Sequence, residues 1–121
     1  LLAYRDWDFW SELVCIENRH EFDYYHDEEI KVNITGQEHS VTQELESWTM
    51  VDETYTMREP TNCDILLTVD QPRSMKAMGW THKFRSASVF CFQCGHDNQT
   101  YVDPNFQRVI AQGIRWCAGK D

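Results

Sequence analysis

Val89-Phe90-Cys91-Phe92-Gln93-Cys94-Gly95-His96-Asp97 is an apolar run that stops at a Gly-His pair, and its reading sets the fold expected for the rest of the chain. Ser88 to Cys94 shows no polar alternation, as expected of a strand buried on both faces. Gly95 permits a tight exit from that strand. His96 follows, with Asp97 beside it to bias its protonation. Downstream, Asp103 can cap a helix whose first residue, Pro104, loses nothing by lacking an N–H. Phe106, Val109, Ile110, Ile114 and Cys117 recur at helical spacing, and Gly119 provides the stop. A titratable imidazole between a buried strand and a helix start is a common place for chemistry.

Outward from this stretch, Asp64 to Val69 reads as a second fully buried strand. Asp8 to Ile16 has a helical apolar face of Phe9, Leu13 and Ile16. The acidic segment Glu21–Glu29 reads as loop. Ile30 to Ile34 alternates as a half-buried strand does, and Gly36 punctuates a turn into His39-Ser40-Val41-Thr42. Trp48–Tyr55 and Met78–Phe84 are β-prone. Helices at both ends of the chain and two apolar strand runs between them predict an α/β layer architecture.

The chain has 121 residues, enough for one hydrophobic core and too few for two. Its 41% hydrophobic and 26% charged residues, with 16 aromatic side chains, argue for an ordinary soluble globular protein and against disorder. No apolar run approaches the roughly 20 residues that span a bilayer, so no membrane partner is expected. Net charge is −9, and residues 1–60 carry 15 acids against 4 bases. Such a surface repels phosphate backbones, which excludes nucleic acid as the expected partner. Five cysteines in no framework-like spacing read as reduced core thiols, which favours the cytoplasm.

Cys91-Phe92-Gln93-Cys94 has the CxxC spacing of zinc, redox and haem sites, but each reading lacks a part. Gly95 separates the second Cys from His96, no second CxxC exists, and thiols at i and i+3 of a strand point to opposite faces. Both thiols are therefore expected to fill the core. Asp52-Glu53 lies on a β-prone segment, where adjacent carboxylates face opposite ways and one at most enters a site. His20 and His26 sit among acidic and aromatic residues with spacing too generic to assign, although a mixed His and carboxylate metal site is conceivable there. There is no nucleophile elbow and no glycine-rich phosphate loop.

An ordered series of landmarks resembles the ThuA-like, or trehalose-utilisation, family. It runs from Trp7, Ser11-Glu12-Leu13-Val14 and His20 through Ile30-Lys31-Val32 and His39-Ser40-Val41-Thr42. Trp48 and Asp52-Glu53-Thr54-Tyr55 follow, then Ile65-Leu66-Leu67-Thr68, Trp80-Thr81-His82 and Val89-Phe90. Gly95-His96-Asp97, Asp103-Pro104-Asn105-Phe106 and Gly113-Ile114-Arg115-Trp116 complete it. The chain departs from the family at Cys15-Ile16 and Arg85-Ser86-Ala87-Ser88, which replace glycines, and at Ser40, which replaces a proline.

The resemblance implies a flavodoxin-like parallel sheet flanked by helices, as in class I glutamine amidotransferase-like proteins. Residues 1–121 would be a single ThuA-like domain and only the C-terminal part of the full one, shortened at its N-terminus. The amidotransferase Cys nucleophile is not expected. The implied function is in the metabolism of trehalose or a related glycoside, at the C-terminal edge of the sheet. The candidate catalytic residues are His96, Glu53 and Asp52, with Tyr55 and His20 binding a small-molecule carbohydrate. A divalent metal on His and carboxylate ligands is the unfavoured cofactor. The alternative is a non-catalytic copy that packs against a partner, either a missing N-terminal half or a second copy in a homo-oligomer.

Overall fold

The computed structural model describes residues 1–120. In chain order the elements are α1 (Asp8–Val14), β1 (Asp23–Ile34), β2 (Trp48–Thr56), β3 (Asp64–Thr68), β4 (Ala77–Phe84), β5 (Ala87–Phe92), α2 (Asn98–Tyr101) and α3 (Pro104–Cys117). The strands form one sheet in the order β2-β1-β3-β4-β5. Every neighbouring pair is antiparallel, and the sheet curls strongly into a half-barrel.

This overturns the expected flavodoxin-like parallel sheet. Parallel neighbours need a crossover of a dozen or more residues, usually a helix, and no helix separates any two strands of the sheet. Phe84 pairs with Ala87, so only Arg85 and Ser86 join β4 to β5, and such a link permits only an antiparallel hairpin. The connection from β1 to β2 is longer but folds into turns. The Thr42 hydroxyl donates to the Gly36 and His39 carbonyls there, and Val41 and Leu45 drop into the core.

The apolar run of β3 does bury Leu66, Leu67 and Thr68, but β5, expected to be buried on both faces, is an edge strand in which only Cys91 is buried, and neither run reports strand direction. One cluster joins Ile30, Val32, Met50, Leu66 and Leu67 to Phe106 and Val109 of α3. The other joins Val14 and Ile16, at the end of α1, to Met75, Ala77, Trp80 and Cys91. Cys91 of β5 belongs to the second cluster, while Cys94, two residues beyond the end of that strand rather than on it as expected, packs against the first. Two further expectations are corrected. Most of the acidic segment expected as loop, from Asp23 on, is the first half of β1, paired with β2 from Asp23–Thr56 onward except for an irregularity between Tyr25 and Glu28. Its order comes from ladder hydrogen bonds, so its side chains are free to stay solvated and polar. In α3 the inward face is Phe106, Val109 and Gly113, while Ile114 is 65% exposed. A methyl on Gly113 would overlap the edge of the Phe90 ring, so only glycine allows this approach. Asp103 caps α3 as expected, accepting from the N–H of Asn105 at 2.9 Å and of Phe106 at 2.8 Å.

Both glycine departures fall where glycine would be easiest. Cys15, which ends α1, has φ +61°, and Arg85, first of the two hairpin residues, has φ +55°. Both left-handed turns are made here without the residue that favours them.

Candidate functional site

The site begins with an irregularity in the sheet. Tyr25 pairs with Thr54 and Glu28 with Asp52, so His26 and Asp27 together oppose the single residue Glu53. Asp27 takes up the extra length with φ +54°. A bulge of this kind re-aims a side chain, and such features gather beside active sites. Here it turns His26 toward Glu53, whose carboxylate is only 6% exposed. His26 Nδ1 lies 2.7 Å from Glu53 Oε2, and His96 Nδ1 approaches the same oxygen at 3.4 Å. A carboxylate this buried needs partners, and the two imidazoles supply them.

His96 arrives from the far edge of the sheet. The segment after β5 crosses the open side of the half-barrel and binds to β2, the opposite edge strand. Asp52 makes that join. Its Oδ2 accepts from the Gly95 N–H at 2.8 Å, and its Oδ1 accepts from the N–H of His96 at 3.1 Å and of Glu53 at 2.8 Å. Gly95, at φ +115°, makes the turn. Asp97 then caps α2 through the Gln99 N–H, a bond that holds its carboxyl below the usual range. The Gln99 side chain reaches back to Asp27 at 2.9 Å and ties the bulge to the turn. The fully buried Thr100 donates to the Val51 carbonyl and fixes α2 against β2.

Tyr55 completes the inner wall. Its hydroxyl donates to Glu53 Oε1, the oxygen that the histidines leave free. Burial, followed by the hydrogen bond to Glu53 and that residue's charge, raises the Tyr55 pKa well above the phenolic range. Tyr55 thus stays a neutral donor. It also lines a cleft of about 270 Å³ with Gln93, Cys94 and Gly95. Outside, the Tyr24 ring meets His26 edge-on at 5.2 Å and is 55% exposed. His26 and His96 are 53% and 44% exposed, so one side of the cluster faces solvent. The arrangement can hold or move a proton at a ring nitrogen, or ligate a cation.

Of the five residues singled out in the sequence, the structure brings His96, Glu53, Asp52 and Tyr55 to one place. Asp52 points at the backbone of the turn and Glu53 at the imidazoles, the division required by their opposite facing. The site lies where the two edges of a curled antiparallel sheet approach, so it has no common C-terminal strand edge. His20 is elsewhere in its contacts, accepting from Arg5 Nε at 3.0 Å and from none of the cluster. The remaining histidines have structural partners: His39 accepts from the Val41 N–H, and His82 Nε2 meets the Leu13 carbonyl at 2.7 Å. His26 joins the site, and sequence reasoning left it unassigned. The available signal was the Tyr24-Tyr25-His26-Asp27 run read as strand against Asp52–Tyr55, but the register that reveals it is a long-range property. A larger apolar groove of about 580 Å³ lies between β5 and α3 and shares no residue with the cluster.

Among known proteins, the model of the ThuA family, described as trehalose utilisation, matches residues 2–117. A solved structure of a ThuA-like protein from Parabacteroides merdae is similar at 26% identity with a TM-score of 0.70. That similarity covers 80% of this chain and 40% of the other, so the chain matches well under half of that protein. No curated protein matches. Among the described residues, no helix is long and apolar enough to cross a membrane. With nearly its whole length matched by the family model, this chain belongs to the ThuA, or trehalose-utilisation, family.

Proposed function

We propose that this domain binds and chemically modifies a small carbohydrate, trehalose or a related glycoside or its oxidised derivative, at the face formed by His26, Glu53 and His96. The observation that supports this reading is the convergence of two imidazoles on one buried carboxylate, beside exposed Tyr24 and the hydroxyl-bearing Tyr55, in a member of the trehalose-utilisation family. Sugars are recognised by aromatic faces and by hydrogen-bonding groups held at fixed angles, and both are present. Glu53 holds the Nδ1 side of His96, which leaves Nε2 to exchange a proton with a sugar hydroxyl or carbonyl. His26 shares the load on Glu53. Tyr55 fixes the second carboxylate oxygen and offers a wall to the ring, and Asp52 acts as a positioning residue. His20 is left outside the proposed set.

Calorimetric titration with trehalose and its oxidised derivatives tests the reading. The parent is expected to bind at least one of them, and H96A to bind at least about 10-fold more weakly, the effect of losing roughly 1.4 kcal/mol of interaction, while keeping its circular dichroism. Absence of binding by every member of the set, or H96A behaving as the parent does, overturns it.

A further inference from the structure

We infer that His26, Glu53 and His96 form a divalent transition-metal site of the zinc class, with one coordination position left open. The donor set is the first support. Two imidazoles and one carboxylate are the three protein ligands of a catalytic zinc centre, whose fourth position takes water or substrate. One ligand atom from each of the three residues lies within 4.8 Å of the others.

Geometry is the second support. Donors about 2.1 Å from a tetrahedral ion stand about 3.4 Å from one another. His96 Nδ1 and Glu53 Oε2 already stand 3.4 Å apart. His26 Nδ1 and Oε2 are at 2.7 Å, the length of a hydrogen bond, and must part by a few tenths of an ångström when the ion enters. The two rings, with centroids 5.0 Å apart, are close enough for one cation to be ligated by both.

The outer contacts are the third support. Metal-bound carboxylates are themselves hydrogen-bonded, and Tyr55 does this at the oxygen of Glu53 remote from the histidines. Asp52 fixes the backbone of the His96 ligand, and the bulge fixes His26. Acidic Asp27, Glu28 and Glu29 follow on the same strand and give the surroundings a sign that draws cations.

The inference rests on the proposed carbohydrate site and deepens it. His26, Glu53 and His96 would hold the ion, and its open position would take a water or a sugar oxygen; the ion would polarise that oxygen and make a bound water more acidic, so that its hydroxide could serve as base or nucleophile there.

The test is titration of chelator-treated protein with zinc chloride in two buffers of different ionisation enthalpy. One equivalent should bind in both. H26A and H96A should each lower the affinity at least about 100-fold, since each removes one of three protein ligands. Cobalt(II) reports the donors: a visible d–d spectrum without the near-ultraviolet thiolate band indicates nitrogen and oxygen ligation. Failure to bind one equivalent, full affinity in both His variants, or a thiolate band overturns the inference. Sugar binding measured separately on chelator-treated protein distinguishes the two failures. If sugar binds and zinc does not, the metal site falls while the carbohydrate reading stands.

Discussion

Replacing Asp52 with alanine should loosen the join that builds the site. Asp52 is 4% exposed and accepts three N–H groups, from Glu53 and Gly95 at 2.8 Å and from His96 at 3.1 Å. Hydrogen bonds to a charged partner contribute about 1.5–3 kcal/mol each, so the gross loss is about 4–9 kcal/mol. Burying the carboxylate costs several kcal/mol, which the variant no longer bears. Water can also reach the half-exposed turn, so the net destabilisation of D52A should be about 2–4 kcal/mol. D52N keeps the shape and the Oδ1 acceptor but presents an NH₂ group to Gly95. It should lose one bond and cost about 1–2 kcal/mol. Urea denaturation of the three proteins measures both values. In D52A the His96 ring resonances should also broaden or move, because its backbone anchor is gone. A loss below about 0.5 kcal/mol, the size of an ordinary surface substitution, would refute the clamp, and so would a larger loss in D52N than in D52A.

Two other expectations follow from packing and burial. G113A gains about 1 kcal/mol of helix propensity but forces its methyl into the Phe90 ring, which costs about 1–3 kcal/mol. A net loss of about 1 kcal/mol, or roughly 3–6 °C in Tm, is expected by thermal melting, and a rise in Tm would contradict the packing described. Burial raises the thiols of Cys63 and Cys91 to about 12, so both should react far more slowly than exposed Cys117 with a disulfide reagent near pH 8. Because these groups hold their protons more tightly folded than unfolded, their contribution to stability is complete below about pH 8.5. It is lost as pH rises from there toward 12, and alkaline urea titrations should show that decline.

Local signals carried much of the fold. Asp103-Pro104 marked the start of α3, and the apolar runs marked β3 and β5 as strands, although β5 proved to be an edge strand with only Cys91 buried. Strand direction was not legible, because an apolar run reports burial on two faces and says nothing of its neighbour's sense. The informative clue was the absence of helix-length periodicity between strands, and above all the brevity of Arg85-Ser86. The first half of β1 was hidden for a related reason. Its acidic side chains are solvated, so no alternation records its pairing with β2. At the site, Asp52, Glu53, Tyr55 and His96 were visible as landmarks. His26 became visible only once the bulge placed it against Glu53, and the split of duties between Asp52 and Glu53 followed from their opposite facing. Cys15 and Arg85 also take positive φ angles that their residue types do not announce.

The most direct test of the carbohydrate site uses the five histidines as reporters. Imidazole ¹H–¹⁵N spectra recorded while trehalose or its oxidised derivatives are added should show His26 and His96 shifting together and saturably. His20, His39 and His82, which have partners outside the cluster, should stay in place. Unmoved His26 and His96 at saturating sugar, or shifts confined to the other three, would contradict the account.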